Sequence, residues 1–318
     1  MKQEQLAQRY NSSNDSGGSK ISERPHWGVE QELLDLHKEE IKVNGVKTRM
    51  DGSGVKIAIL DGAVDLEHSS FRQNQHKSFD LITDNWVKYP DKTVSHKHGT
   101  MVAGVIGADG CGKPGRLHGV APGAAMYCYR VMDSSQRIVP YALEKSLVCA
   151  FEEGVDIINM SIRHLPADRR ILNLIREAFR RGIVLVAQAG NYEYNGVDNV
   201  DYPAALQETL AIAGHDRGTY AARKAKGQFL DFTAPGSNLC GLAPGQQYTN
   251  DTGSSFACSY FSGLVALLLQ VYHAKNLYPS PSQVEAIMAG CTYSNAFSIE
   301  SGHGCISVKK LISHLKSL

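Results

Sequence analysis

Four polar residues stand where apolar stretches of the chain begin or end, and together they carry the functional groups of acyl transfer. Asp61 follows the apolar run 55–60, and Asn191 follows another apolar run. His98 opens a stretch of small residues, and Ser255 opens a long apolar segment. A turn or a helix cap would explain each residue alone. A carboxylate, an imidazole, a hydroxyl and a carboxamide are also the acid, base, nucleophile and oxyanion donor of acyl transfer, so we predict that the fold brings them together.

The elements that must position these residues alternate along the chain. Apolar runs typical of strands cover 55–60, 125–131, 155–160 and 183–187, and helical patterns cover 99–107, 140–153 and 168–181. Strands that alternate with helices predict an α/β fold with a mostly parallel central sheet and helices on both faces. Residues 255–273 are apolar on nearly all sides and predict a buried central helix. Ligands bind such sheets beyond the carboxyl ends of the strands, which is where Asp61 and Asn191 lie.

Composition and charge exclude several classes of protein. With 318 residues and 42% hydrophobic residues the chain can bury a large core, which rules out a disordered or fibrous protein. Its 33 Lys and Arg against 32 Asp and Glu give a net charge of +1, which offers no electrostatic case for a nucleic-acid partner. The longest unbroken apolar run, residues 264–269, is far shorter than the roughly 20 residues of a membrane-spanning helix, so no membrane partner is expected.

Cysteine usage and the N-terminus indicate a compartment and a domain division. The seven cysteines are scattered without a Cys-x-x-Cys pair, so we expect reduced thiols rather than disulfides or a thiolate zinc site. The first residues lack the apolar stretch of a secretory signal, and we therefore expect a cytoplasmic protein. Residues 1–25 are polar and predict a flexible tail, and residues 26–318 predict a single folded domain.

The motifs around three of the four residues resemble those of the subtilisin-like serine proteases, the subtilase family. They cover 55–61 around Asp61, 98–104 around His98 and 253–257 around Ser255, in one of the chain orders known for this triad. Shorter matches fall between and beside them in the family's order: Gly119-Val120-Ala121-Pro122, Asn159-Met160-Ser161, Ala189-Gly190-Asn191, Tyr202-Pro203 and Ala234-Pro235-Gly236. Trp27-Gly28-Val29 resembles the start of a mature subtilase, so the resemblance spans roughly residues 26–295 and implies a subtilisin-like three-layer sandwich for the catalytic domain.

The resemblance implies a serine endopeptidase that works through an acyl-enzyme. Ser255 would attack the scissile carbonyl, and His98 would take and return the proton while Asp61 orients the imidazole. Asn191 and the backbone N–H of Ser255 would stabilise the oxyanion. The alternative is an inactive or weakly active pseudoprotease that binds peptides in the cleft, because Arg163 and the flanks of Asp61 and Ser255 depart from the family's pattern.

The resemblance also assigns six residues to substrate binding: Ser161, Ile162, Arg163, Ala189, Gly190 and Asp201. Arg163 stands where the family has Gly, on the strand that pairs with the substrate backbone. Asp201 lies at the base of the primary specificity pocket, where a carboxylate would favour Lys or Arg before the cut, as in a processing protease. An ion pair between Asp201 and Arg163 that closes the pocket to charge is the competing interpretation.

No cofactor follows from the sequence, and the partner that it implies is a peptide or protein substrate. Family members often bind calcium after the base helix, but here the loop 107–115 offers one carboxylate and a cation, a poor ligand set for a hard divalent ion. Many secreted subtilases carry a folding propeptide before the mature start, but only about 25 polar residues precede Trp27, so we expect either that the chain folds without a propeptide, as intracellular relatives do, or that one has been removed. The tail is also a candidate inhibitor lying over the cleft.

Overall fold

A computed structural model describes residues 39–43, 46–71, 76–83, 85–86, 97–109, 117–163, 168–191, 199–216, 225–294 and 296–318. The predicted tail 1–25, the mature-start motif Trp27-Gly28-Val29 and residues 110–115 of the loop considered for calcium lie outside these ranges.

An eight-stranded sheet forms the middle layer of the fold. Its strands in chain order are β3 (Lys56–Asp61), β4 (Lys77–Asp80), β5 (Asn85–Trp86), β6 (Ala125–Arg130), β7 (Ile157–Met160), β8 (Val184–Gln188), β9 (Leu210–His215) and β10 (Phe232–Pro235). Their spatial order is β10-β9-β8-β7-β3-β6-β4-β5, and every neighbouring pair is parallel except the edge pair of β4 and β5. The predicted mostly parallel sheet is therefore confirmed, and each of the four predicted strands lies in it.

Two antiparallel hairpins lie outside this sheet. One consists of β1 (Glu40–Val43) and β2 (Val46–Arg49), and the other of β11 (Leu239–Ala243) and β12 (Gln247–Asp251). The second hairpin leads into the helix that carries Ser255, so it lies next to the predicted reacting groups.

Helices cover both faces of the sheet, as predicted. The helices within the described ranges are α1 (Lys97–Gly107), α2 (Pro140–Glu153), α3 (Arg169–Arg180), α4 (Ser254–Ala274), α5 (Pro281–Gly290) and α6 (Val308–Ser317). Side chains of successive strand residues point to opposite faces. Along β3, Ile57 and Ile59 accordingly join the core formed with α1 and α4, whereas Ala58 and Leu60 join the core formed with α2 and α3.

The central helix α4 is buried over almost its whole length. Every residue from Ser254 to Tyr272 is buried, so the prediction of a central apolar helix is confirmed. By length and composition alone α4 would also span a membrane, but its whole apolar window lies inside the domain. Its composition therefore reflects packing in the core.

Candidate active site

Asp61 and His98 form a hydrogen-bonded pair at the carboxyl end of β3. Asp61 is the last residue of β3 and is fully buried, and its Oδ1 accepts hydrogen bonds from His98 Nδ1 at 2.8 Å and from Gly62 N at 2.6 Å. Asp61 Oδ2 is buried without a hydrogen-bond partner in the part of the chain that the structure describes. The carboxylate therefore fixes the ring so that Nε2 is the nitrogen left for a reaction.

A close approach between α1 and the end of β3 puts His98 beside Asp61. A Cβ on Gly99 would lie 2.7 Å from the carbonyl oxygens of both Gly62 and Ala63, closer than any side chain can come. Only glycine at position 99 lets the start of α1 approach this backbone, as the run of small residues suggested. The ring of Phe256, the residue after Ser255, lies 5.6 Å from the His98 ring and covers one of its sides.

The pKa of His98 is raised, because two opposing effects do not cancel. Burial disfavours the imidazolium and would lower the pKa of His98, but the charge and hydrogen bond of Asp61, aided by the charge of Asp251, outweigh it. The His98 side chain is 31% exposed whereas Asp61 is sealed off. Asp61 and Asp251 therefore stabilise the imidazolium that forms during proton transfer, and the exposed part of the ring stays accessible to a substrate.

Ser255 lies in the first turn of α4, which begins after Gly253. Backbone N–H groups in a first turn have no partner within the helix, so the Ser255 N–H is free to bind an anionic oxygen. Ser255 Oγ donates a long hydrogen bond of 3.4 Å to the carbonyl of Ser161. Within the described ranges, no hydrogen bond joins Ser255 to His98.

Asn191 is held by Ser254, the residue before the nucleophile. Its Oδ1 accepts hydrogen bonds from Ser254 N at 2.8 Å and from Ser254 Oγ at 2.6 Å, and the same hydroxyl also contacts the carbonyl of Gly190. Gly190 has φ +125°, a conformation that only glycine adopts readily, and it turns Asn191 towards α4. With its oxygen held, the carboxamide has its Nδ2 donor left for an oxyanion.

A buried polar network ties the end of β7 to the start of α4. Asn159 Nδ2 donates to Ser161 Oγ at 3.0 Å, and Ser161 Oγ donates to the carbonyl of Ser255 at 2.9 Å. Gln188 Nε2, from the end of β8, donates to the Ser161 carbonyl at 2.9 Å. Cys258 Sγ contacts Asn159 Oδ1 at 3.2 Å; it is fully buried, and burial raises the pKa of its thiol, so Cys258 is a packing residue rather than a reactive one.

The residues assigned to substrate binding surround the same strand ends. Ser161 is buried and Ile162 packs its side chain into the core with α2 and α3, so of Ile162 only the backbone can serve a substrate. Ala189 accepts a hydrogen bond from Asp201 N at 2.7 Å, which brings Asp201 behind Gly190. A Cβ on Gly190 would lie 2.8 Å from Asp201 Oδ2, so the carboxylate lies directly behind Gly190, which forms a wall of the predicted pocket.

Arg163 follows Ile162 at the end of the described range 117–163, three residues after β7 ends, and its Nη1 is buried. Among the described residues no ion pair is found between Arg163 and Asp201. No group of three or more His, Cys, Asp or Glu that could hold a metal ion occurs among them either. The structure thus brings the carboxylate, imidazole, hydroxyl and carboxamide to one edge of the sheet.

Sequence reasoning missed three residues that act on these groups. Ser254 orients Asn191, Gln188 binds the Ser161 carbonyl, and Asp251 raises the pKa of His98. A single signal was available for Gln188, because it is a polar residue in the otherwise apolar strand β8.

Comparison with known proteins points to one family. A sequence model of the subtilase family matches residues 52–304. Subtilisin DY of Bacillus licheniformis is 28% identical over 276 residues, which are 86% of this chain and 95% of the relative. Subtilisin of Bacillus pumilus is 31% identical over 220 residues, 69% of this chain and 78% of the relative.

Solved structures agree in fold. The protease domain of PatA, solved as a serine-to-alanine mutant, has a TM-score of 0.72 and 25% identity over 84% of this chain and 98% of that chain. Fervidolysin from Fervidobacterium pennivorans has a TM-score of 0.72 and 20% identity over 83% of this chain and 43% of that chain, which is a likeness of fold alone.

Proposed function

This chain belongs to the subtilase family and is a serine protease, and on that premise we propose that Asp61, His98 and Ser255 hydrolyse peptide bonds through an acyl-enzyme. The observation that carries the proposal is the 2.8 Å hydrogen bond between Asp61 Oδ1 and His98 Nδ1. It fixes the tautomer and the orientation that a general base needs.

Proton and bond changes balance over the two halves of the reaction. Ser255 Oγ forms a bond to the scissile carbonyl carbon while His98 Nε2 takes the proton of the Ser255 hydroxyl. The buried Asp61 carboxylate stabilises the imidazolium that results. When the C–N bond breaks, the imidazolium gives this proton to the leaving amine. Water then attacks the acyl-enzyme with His98 again as base, which releases the acid and restores Ser255.

The oxyanion formed in both halves receives two donors. Asn191 Nδ2 is available because Ser254 holds the amide oxygen, and the Ser255 N–H is available because it lies in the first turn of α4. The hydroxyl of Ser255 must leave its 3.4 Å contact with the Ser161 carbonyl to reach His98. A hydrogen bond of that length is weak, so the rotation costs little.

We further propose that Asp201 favours substrates with Lys or Arg before the cut. Its carboxylate lies directly behind Gly190, in contact with the pocket wall that the family uses. A basic side chain that enters this partly desolvated site would form a charge-assisted hydrogen bond. The preference is measured on peptides that differ only in Lys or Phe before the cut, with wild type and Asp201→Asn. Stronger cleavage of the Phe peptide by wild type would refute it.

Labelling with a fluorophosphonate probe tests the catalytic proposal directly. We expect wild type to be labelled and to hydrolyse casein, and Ser255→Ala to lose both while keeping its circular dichroism spectrum. Ser313→Ala removes an exposed hydroxyl on α6 and serves as the matched control that stays labelled. If folded wild type is not labelled but still binds peptides, the pseudoprotease interpretation replaces the enzyme.

A further inference from the structure

An exposed ion pair links the start of helix α1, which carries the base, to the end of strand β12, which leads into the helix that carries the nucleophile. Lys97, the first residue of α1, precedes His98, and Asp251, the last residue of β12, lies four positions before Ser255. Lys97 Nζ lies 3.4 Å from Asp251 Oδ2, and the two side chains are 49% and 46% exposed. A carboxylate that faces solvent therefore stands at the mouth of the site, on the side of the catalytic base.

The geometry of the reaction decides which part of a substrate lies next to His98 and Asp251. The carbonyl oxygen of the scissile bond must lie at Asn191 and the Ser255 N–H, whereas the leaving amine must come within hydrogen-bond reach of His98 Nε2 to receive its proton. The residue that follows the scissile bond therefore passes next to His98. Asp251 is close enough to His98 for its charge to act on the imidazole.

The contacts of the Asp251 carboxylate leave one of its two oxygens for a substrate. Asp251 Oδ1 accepts a hydrogen bond from Thr252 N at 2.8 Å, which fixes the side chain, and Oδ2 is the oxygen that faces Lys97. Exposed pairs between lysine and carboxylate are weak because water and salt screen them. A cation on the substrate can take the place of Lys97 at little cost.

We propose that Asp251 is a specificity-determining residue that binds a Lys or Arg directly after the scissile bond, with Lys97 as the internal cation that the substrate displaces. This inference rests on the proposed peptidase function. Asp201 and Asp251 would then select basic residues on the two sides of the cut through separate contacts.

Two peptides that differ only in Lys or Glu after the scissile bond test the proposal. For wild type we expect kcat/KM to be roughly 1.4- to 5-fold higher for the Lys peptide, the size of an exposed charge contact. Asp251→Asn should bring this ratio to about one, and Lys97→Gln should widen it because the competing cation is gone. The ratio is taken within one enzyme, so a change in the pKa of His98 affects both peptides alike.

Glu300→Gln is the matched control. Glu300 is an exposed carboxylate paired with Lys226 at 2.6 Å, so its removal changes the net charge equally and should leave the ratio unchanged. High salt should lower the wild-type ratio, a measurement that needs no variant. A wild-type ratio of one, or a ratio that survives Asp251→Asn, overturns the assignment. If wild type cleaves neither peptide and takes up no fluorophosphonate, the peptidase function itself has failed; labelling and equal cleavage refute only the role of Asp251.

Discussion

The contact between Ser254 and Asn191 offers a quantitative test of the oxyanion site. Asn191 Oδ1 accepts two hydrogen bonds from Ser254, one from the backbone N–H and one from the hydroxyl. Ser254→Ala keeps the first and removes the second, so the carboxamide gains freedom to turn its Nδ2 away from the oxyanion. The expected result is a lower kcat with little change in KM, because the donor matters chiefly in the transition state.

The size of the effect is bounded by two magnitudes. Complete removal of an oxyanion donor costs about 2.7–4 kcal/mol, a value established on a member of this family, so Asn191→Ala should lower kcat roughly 10²–10³-fold. Loss of one orienting hydrogen bond costs about 0.5–1.5 kcal/mol, so Ser254→Ala should lower kcat roughly 2- to 13-fold. Ser254→Thr keeps the hydroxyl and should stay near wild type.

Steady-state kinetics of the double variant separate an orienting role from a general loss of structure. If Ser254 acts only through Asn191, Ser254→Ala should have no further effect once Asn191 is alanine. Losses in kcat that multiply in the double variant would refute the reasoning.

Three further predictions concern titration and stability. Asp251→Asn should move the acid limb of the kcat/KM profile to lower pH on an uncharged peptide, because Asp251 helps to raise the pKa of His98 and the base must be neutral to act. An acid limb at the same pH in the variant would count against an effect of Asp251 on His98. Gly62→Ser should raise the free energy of unfolding by about 0.5–1.5 kcal/mol over Gly62→Ala. A Cβ at position 62 meets nothing within 4 Å, and a hydroxyl there can donate to Asp61 Oδ2, which has no hydrogen-bond partner among the described residues; equal urea midpoints would contradict the prediction. Burial raises the pKa of Asp231 to about 7, although the hydrogen bond from Ala211 N opposes this shift. The stability that the protonated carboxyl contributes below 3.8, its pKa in the unfolded chain, should therefore be lost as the pH rises through about 7. Asp231→Asn should flatten this decline in thermal unfolding scans between pH 5 and 8, and parallel curves for variant and wild type would refute the prediction.

The sequence predicted four strands of the central sheet from strong local patterns, and among the strands that it missed is one that only pairing defines. The four apolar runs that it picked out are all central strands, because a strand buried on both faces needs a continuous apolar sequence. Strand β12 was missed because its residues are half or fully exposed, so no apolar pattern marks it. It exists through its register with β11, in which Leu239 pairs with Asp251.

Helix starts show the same limit on a smaller scale. Helix α1 begins at Lys97, two residues before the predicted start, and α3 begins after Asp168, whose side chain accepts a hydrogen bond from Arg170 N. The predicted reacting residues could be found because each sits at the end of a strong pattern. Ser254 and Asp251 could not, because their partners lie far away in the chain and each reads locally as an ordinary cap or turn residue.

The burial of Asp61 and the partial exposure of His98 explain why altered residues next to the reacting groups leave the geometry of the site intact. Asp61 is fully buried, while the ring of His98 is partly exposed with one side covered by Phe256, so water is kept from the carboxylate and the electrostatic coupling between the two stays strong. The contacts that hold the reacting groups come from backbone atoms and from residues on other strands, such as the close approach of Gly99 to the end of β3. Gly62, one of the flanking residues that depart from the family's pattern, therefore does not displace the base, and among the described residues Asp61 Oδ2 is left without a hydrogen-bond partner. It follows that the geometry of the site depends more on the helix and strand ends that meet there than on the residues next to each predicted reacting group.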